Sequence, residues 1–410
     1  MNKKQKISLA IEIRNLIATY VSDTWPGFTP VPFILYDDKN QVALGNEWPD
    51  NYSQEQECVW VAQGFDPLLI GNTSMIYHNV RVAIWDTRTW PDSPDVSKAT
   101  SSIAHEMFHA FQQMNMNLPW ANELLLPQYP HNKQSVAFVI EENKWLAEVL
   151  KSPDSTAVGK CLRNISVLRG QREAEIGADC IEYDKRCESI EGTAAYVEIR
   201  MNALVEGITT FKAASSYLPM LMDSSKLLNN YRHRCYAAGL VLCLASDVMW
   251  GEWQEEWSKS GKTIFDCMKD KMTLTESVTT ISLSDLEAAD ELLTAYQKEK
   301  EQIINAFTAQ PLTSFEGAIQ LTGFDPMNLV CTDGRCLHNH GKLRFGKTEK
   351  MITGPFLEEY GATIIDVKRI FIPNTTVSSH ADSRLNVEGL GEMNGNMEQS
   401  QSGICCIITE

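Results

Sequence analysis

Basic charge is what this sequence is short of. It sets 36 lysines and arginines against 53 aspartates and glutamates, a formal net charge of −17. A surface of that average sign repels nucleic acid and anionic membrane, so neither is expected as the main partner. Long apolar runs are missing as well: the longest, Ala237 to Ala245, is too short to span a bilayer. The N-terminus, M-N-K-K-Q-K-I-S-L-A-I-E-I-R-N-L, begins as basic as a signal peptide. Glu12 and Arg14 interrupt its apolar core, which points to a short amphipathic helix and a cytoplasmic location. A disulfide framework is absent too. The 11 cysteines are odd in number and scattered, several of them (Cys161, Cys180, Cys187, Cys235, Cys243) inside apolar helical stretches. That pattern reads as buried, reduced thiols. There is no internal repeat and no long low-complexity linker. An apolar content of 43% with 22% charged residues over 410 positions is that of a globular chain with two or three core units.

Within this background the pattern of elements changes twice. Residues 5–22 read as a helix, and Pro32 to Asp86 as short β-prone runs: F-I-L-Y, V-A-L, C-V-W-V-A and N-V-R-V-A-I-W-D. This predicts an α/β lobe, residues 1–96, carrying a small sheet. Were its last strand, Val80 to Asp86, a sheet edge, an extended peptide could pair with it; an interior strand is the other reading. From Ser97 to about Phe307 the chain reads as helical, defining a lobe of 97–310. Inside it Ile176, Cys180, Tyr183, Cys187, Ile190, Ala194, Val197, Met201 and Leu204 recur at steps of four and three. One long helix over Gln171 to Leu204 is expected from this. Ser284-x-x-Glu287 reads as a capping box for a helix over roughly Leu286 to Phe307. After Pro311, Gly-rich turns separate A-I-Q-L, K-L-R-F and T-I-I-D-V-K-R-I-F-I, a small β-rich domain over 311–410. Residues 386–403, rich in Gly, Asn, Ser and Gln, are expected to be a mobile loop.

The chemistry concentrates in Ser97 to Met114, S-K-A-T-S-S-I-A-H-E-M-F-H-A-F-Q-Q-M, which contains H-E-x-x-H with His105, Glu106 and His109. On a helix, residues i and i+4 stand one above the other, so one divalent ion can bridge both imidazoles. With 8 histidines in 410 residues, chance produces the motif in roughly one such sequence per hundred. Ile103, Met107, Ala110 and Met114 form an apolar stripe opposite the histidines, which supports the helix. Glu106 is placed to take a proton from water at the metal.

A catalytic zinc site wants a third protein ligand. The carboxylates available from the helical region include Glu191, Glu148, Glu188 and Asp179. Gly192, costly inside a helix, suggests close approach of another element beside Glu191. H-E-x-x-H followed by E-G-T-A-A-Y-V-E, Glu191 to Glu198, resembles the gluzincin metallopeptidases, whose aminopeptidase branch carries a similar E-G-x-A-x-Y-x-E block. The resemblance implies an α+β, zincin-like architecture, Zn2+ as cofactor, Glu191 as third ligand with His105 and His109, Glu106 as base, and Glu198 as a supporting carboxylate. The interval from His109 to Glu191 is longer than in those aminopeptidases, so the intervening stretch forms extra helices. Residues 311–410 lie outside the resemblance, and the aminopeptidase motif for a substrate amine is missing.

Hydrolysis of a peptide also needs a donor for the tetrahedral oxyanion. In gluzincins a Tyr or His of the helical lobe fills this role, which here nominates Tyr231, His233 and Tyr236, beside Arg232, on a helix over Asn229 to Val248. Cys331, Cys336, His338 and His340 fit no common zinc module, and Asp333-Gly334 reads as a hairpin turn. Trp250, Trp253 and Trp257 read as packing. The expected function is a zinc metallopeptidase acting on a peptide or protein. The alternatives are a catalytically inactive peptide- or partner-binding protein of the same fold, or a metal-dependent hydrolase of a non-peptide amide.

Overall fold

The computed structural model describes residues 1–45, 48–272, 280–380, 383–400 and 403–409. It divides the chain into two compact units. One comprises Met1–Ala121, Phe138–Leu227 and Tyr231–Ile281; the other Asn122–Ala137, Leu228–Asn230 and Ser282–Glu410. The expected boundaries after residues 96 and 310 do not coincide with this division. Burial explains both differences. The sheet of the first unit shares one apolar core with the helices that follow it, and the last long helix packs onto the C-terminal strands.

The first unit opens with α1 (Lys3–Thr24), started by a capping box in which Asn2 and Gln5 satisfy each other's backbone N–H. Six strands follow: β1 (Phe33–Tyr36), β2 (Asn40–Leu44), β3 (Ser53–Gln56), β4 (Val59–Gln63), β5 (Thr73–Tyr77) and β6 (Val80–Asp86), in the order β3-β4-β2-β1-β6-β5. Phe33, Leu35, Val42, Leu44, Val59 and Val61 face the helices, while Ile34, Tyr36, Ala43, Ala62, Val82 and Ile84 fill a smaller core on the other side. The sequence reading missed β3 and β5. Both are edge strands, β3 exposed throughout and β5 with a single buried residue, so they carry little apolar pattern. Of the two readings of Val80 to Asp86, the interior strand holds: β6 lies between β1 and β5, and β5 is the edge.

Next come α2 (Val96–Asn115), α3 (Lys133–Lys151), α4 (Ser155–Ile176), α5 (Ala178–Glu206), α6 (Thr210–Ala214), α7 (Leu218–Met222), α8 (Tyr231–Trp250), α9 (Gln254–Ser260) and α10 (Ile264–Lys271). Asp95 caps α2 by accepting the N–H groups of Ser97 and Lys98. Ile103, Met107 and Ala110 are buried as expected, but Met114 is 51% exposed, so the stripe ends a turn early. The single helix expected over Gln171 to Leu204 is broken at Gly177, whose φ of +89° ends α4. Trp253 and Trp257 are buried and packed around Trp25.

The second unit holds α11 (Leu283–Thr308), capped by Ser282 rather than Ser284. Twelve strands follow: β7 (Leu312–Gly317), β8 (Ile319–Phe324), β9 (Leu329–Thr332), β10 (Arg335–His338), β11 (Gly341–Phe345), β12 (Thr348–Ile352), β13 (Phe356–Tyr360), β14 (Val367–Pro373), β15 (Val377–His380), β16 (Arg384–Val387), β17 (Gly391–Ser400) and β18 (Gly403–Ile408). Nine form one sheet, β15-β16-β17-β18-β7-β14-β13-β10-β9, and three another, β12-β11-β8. The segment expected to be a mobile loop instead contributes to β16, β17 and β18; its residues 401 and 402 lie outside those described. Ile304 and Phe307 of α11 bury against Leu357, with Leu312, Val330, Leu337 and Phe371 around them. Asp333-Gly334 is the hairpin turn between β9 and β10, as expected, and it brings Cys331 opposite Cys336. These two form a disulfide, which corrects the reading of every cysteine as a free thiol. Among the described residues no helix is long and apolar enough to cross a membrane.

Candidate metal centre

The chemistry sits where α2, α5 and α8 meet, inside the first unit. Helices α5 and α8 cross at two glycines. A Cβ on Gly192 would stand 2.2 Å from the Cα of Gly239, and one on Gly239 would stand 2.1 Å from the carbonyl oxygen of Glu188. The close approach inferred from Gly192 is therefore present, and it sets the start of α8 against Glu191.

His105, His109 and Glu191 converge, with donor atoms all within 4.8 Å of one another. Among the described residues they are the one such group of three or more His, Cys, Asp or Glu side chains. The Nε2 atoms of the two histidines face each other at 3.1 Å. Glu191 Oε2 lies 3.2 Å from His109 Nε2 and 3.7 Å from His105 Nε2. The outward nitrogens are committed elsewhere. His105 Nδ1 donates to Glu198 Oε2 at 3.0 Å, and His109 Nδ1 to Gln112 Oε1 at 2.8 Å. Gln112 is oriented by its own amide, whose NH2 donates to Ile190 O and Thr193 Oγ1, each at 2.8 Å. This arrangement turns both Nε2 lone pairs inward.

Two lone pairs and a carboxylate oxygen at such distances repel unless a positive centre lies among them. Burial disfavours the His105 imidazolium, but Glu191 and Glu198 outweigh it and raise its pKa to about 10. Burial likewise opposes ionisation of Glu191, yet the charges of His109 and Arg232 hold it well below the usual carboxylate range. Glu191 Oε2 is buried and has no hydrogen-bond partner among the described residues, whereas Oε1 accepts from Arg232 Nη2 at 2.7 Å. An orphaned carboxylate oxygen beside two inward imidazole nitrogens fits a divalent metal of the zinc class. Glu106 is buried next to this group. Desolvation pushes its carboxyl up, against the pull of His105 and His109.

The α8 residues separate. The Tyr236 ring stacks on His105, with centroids 5.7 Å apart and 8° between planes, and its hydroxyl accepts from Arg232 Nη1 at 2.9 Å. His233 is exposed, its ring 5.7 Å from that of Tyr236. Tyr231 is engaged elsewhere: its hydroxyl accepts from Arg172 at 2.6 Å and donates to Asp184 at 2.9 Å, inside a buried ion network. Glu188 belongs to that network through Arg169 and Arg234, Glu148 pairs with Lys151 at the surface, and Asp179 is exposed, so none of the three competes with Glu191. The sequence reading missed Gln112 and the contact of Arg232 with Glu191. Gln112 stands three residues after His109, one turn along the same face, which was the available signal. The loose set Cys331, Cys336, His338 and His340 makes no metal group: the cysteines pair, His338 bonds Glu358, and His340 lies 3.9 Å from Asp325.

Comparison with known proteins finds no matching family model, curated protein or solved structure.

Proposed function

We propose that this protein is a zinc-dependent metallopeptidase of gluzincin type, with a zincin-like arrangement of sheet and active-site helix in its first unit. The observation that carries the reading is the inward set of His105 Nε2, His109 Nε2 and the unpartnered Glu191 Oε2. These three would hold the ion, which when bound would polarise a scissile carbonyl and acidify water. Glu106 takes the proton from the attacking water and passes it to the leaving amine, a role suited to a carboxyl whose pKa burial raises. Tyr236, stacked on His105, is the better placed of the α8 residues to donate to the oxyanion; exposed His233 remains a substrate-facing candidate. Glu198 and Gln112 fix the imidazole tautomers, and Arg232 fixes the far oxygen of Glu191. The edge strand β5, packed beside α2, offers free backbone groups with which an extended peptide could pair. A peptide or protein substrate in the cytoplasm is in keeping with these features and with the acidic net charge.

Elemental analysis of the purified protein, together with Glu106→Gln and Glu191→Ala, tests this. Stoichiometric zinc in wild type and Glu106→Gln, peptide-library cleavage by wild type alone, and loss of zinc in Glu191→Ala are expected. Full zinc occupancy in Glu191→Ala would remove the third ligand. Absence of metal would leave a peptide-binding protein. Zinc without peptide cleavage would favour a non-peptide amide as substrate.

A further inference from the structure

The second unit contains a set of reactive side chains that the metal centre does not use. Cys331 and Cys336 face each other across the β9–β10 hairpin, and Glu358 on β13 pairs with Cys336 from the other side. Residues so paired have Cβ atoms about 4.5–5.5 Å apart, so disulfide and carboxyl form one row across three strands. The row is buried: Cys336 and Glu358 are 0% exposed and Cys331 is 5% exposed. His338, two residues beyond Cys336 on the same face, bonds Glu358 Oε2 through Nε2 at 2.7 Å and stacks on Phe356. Glu358 Oε1 and His338 Nδ1 are buried without hydrogen-bond partners among the described residues.

We infer that the Cys331–Cys336 hairpin is a redox site that exchanges with dithiols, with Glu358 as proton donor to its buried sulfur. Three observations carry this. The disulfide spans only six residues of a hairpin that Thr332↔Arg335 and Leu337↔Val330 already hold in register, so it adds little to the fold. Other cysteines form no disulfide, among them Cys187 and Cys235, which contact each other as thiols. A lone disulfide among cysteines that form no other bridge is the pattern of an exchanging pair rather than of a structural framework. Finally, β9 is the terminal strand of its sheet, so the two sulfurs are not equivalent: Cys331 lies at the edge and Cys336 is enclosed beside Glu358.

The chemistry follows from that asymmetry. A thiolate of the reductant attacks Cys331 Sγ, the S–S bond breaks, and its electron pair leaves on Cys336 Sγ. Glu358 gives that sulfur a proton, making a neutral buried thiol, and recovers one through His338. The second thiol of the reductant then attacks the mixed disulfide and releases Cys331, which is protonated from solvent. The dithiol is oxidised to a disulfide and the protein disulfide is reduced to two thiols. Burial supports the donor role, because desolvation pushes the Glu358 carboxyl up although His338 pulls it down. Tyr360 is the other titratable group interacting with Glu358.

The full chain is treated with dithiothreitol without denaturant, quenched with an alkylating reagent, and its Cys331–Cys336 peptide followed by mass spectrometry while circular dichroism reports the fold. Reduction in the folded state is expected, slowed on the order of 100-fold in Glu358→Gln. A second pair of variants keeps the test independent of that substitution. With oxidised glutathione, Cys336→Ser should trap a mixed disulfide on Cys331, and Cys331→Ser should trap none on Cys336. Reduction only after unfolding, a wild-type rate in folded Glu358→Gln, or equal trapping in the two serine variants would each overturn the inference.

Discussion

Replacing Gly192 by alanine adds a methyl group where α5 and α8 touch backbone to backbone. Its Cβ would lie 2.2 Å from Gly239 Cα and 2.5 Å from the Gly239 carbonyl carbon, whereas ordinary contact begins at 3.4 Å. The helices must part locally by about 1.2 Å, the difference between 3.4 and 2.2 Å. No rotamer can yield, because the opposing atoms are backbone. Overpacking of this kind costs about 1–3 kcal/mol, and the upper end applies here. Alanine regains about 1 kcal/mol of helix propensity, so the net loss is about 2 kcal/mol. At roughly 2 °C per kcal/mol for a unit of this size, the melting temperature should fall by about 4 °C. Gly170→Ala is the internal control. That glycine lies in α4 with nothing within 4 Å of an added Cβ, so the same substitution should raise the melting temperature by about 2 °C. The opening also reaches the candidate metal centre, because the 2.7 Å contact of Arg232 with Glu191 would stretch to about 3.9 Å, too long for a hydrogen bond. Differential scanning fluorimetry reads the first effect, and competition with a chromophoric zinc chelator the second. A Gly192→Ala protein melting at or above wild type would refute the packing argument whether or not the site holds metal.

Three further outcomes are expected. Gln112→Leu, which frees the His109 tautomer, should weaken zinc binding by about 10–100-fold in the same chelator assay while the fold is kept; unchanged affinity would remove Gln112 from the site. Glu142, 0% exposed, accepts from Arg169 and Arg172 and forms an ion pair with Arg234, so Glu142→Gln leaves buried guanidinium charge uncompensated. It should cost about 3–5 kcal/mol in urea unfolding, against at most about 1 kcal/mol for Glu148→Gln at a surface pair. Comparable losses in the two variants would contradict the burial argument. Burial works against ionised Asp37, but the Lys6 ammonium and the N–H groups of Asn40 and Lys39 hold its carboxyl below the ordinary value. A carboxyl depressed in the folded state contributes stability above its unfolded pKa and loses it as pH falls through the folded value. Asp37→Asn should therefore lose stability at pH 7 relative to wild type, with the gap shrinking below roughly pH 4. A gap independent of pH would show that Asp37 acts through shape and not charge.

The features legible in the sequence are those set by neighbours along the chain. His105 and His109 share a face because α2 is a helix, and Asp95, a good capping side chain, starts it just before the expected Ser97. Gly192 announced a close crossing because glycine inside a helix needs a reason. Long-range choices were less legible. Helix α8 is buried on nearly every side, so its composition does not disclose its rotation. Tyr231 and Tyr236 are therefore indistinguishable by pattern, yet one is locked to Arg172 and Asp184 while the other stacks on His105. The edge strands β3 and β5 carried little apolar alternation, and without them the place of β6 in the sheet stayed open between edge and interior. The Cys331–Cys336 bridge depended on hairpin register, which the Asp333-Gly334 turn suggested but the scattered cysteine count obscured.

By itself, then, the sequence determined the local geometry: two imidazoles one turn apart on a capped helix, a neighbouring carboxylate, and a glycine demanding close contact. Only the tertiary structure decided which distant side chains complete that geometry. It selected Glu191 over Glu188, Tyr236 over Tyr231, and Gln112 as the anchor of His109. The physical reason is that hydrogen bonds within a helix fix the spacing of residues a turn apart. The rotation and approach of separate helices follow from how whole faces pack, here around the contact of Gly192 with Gly239.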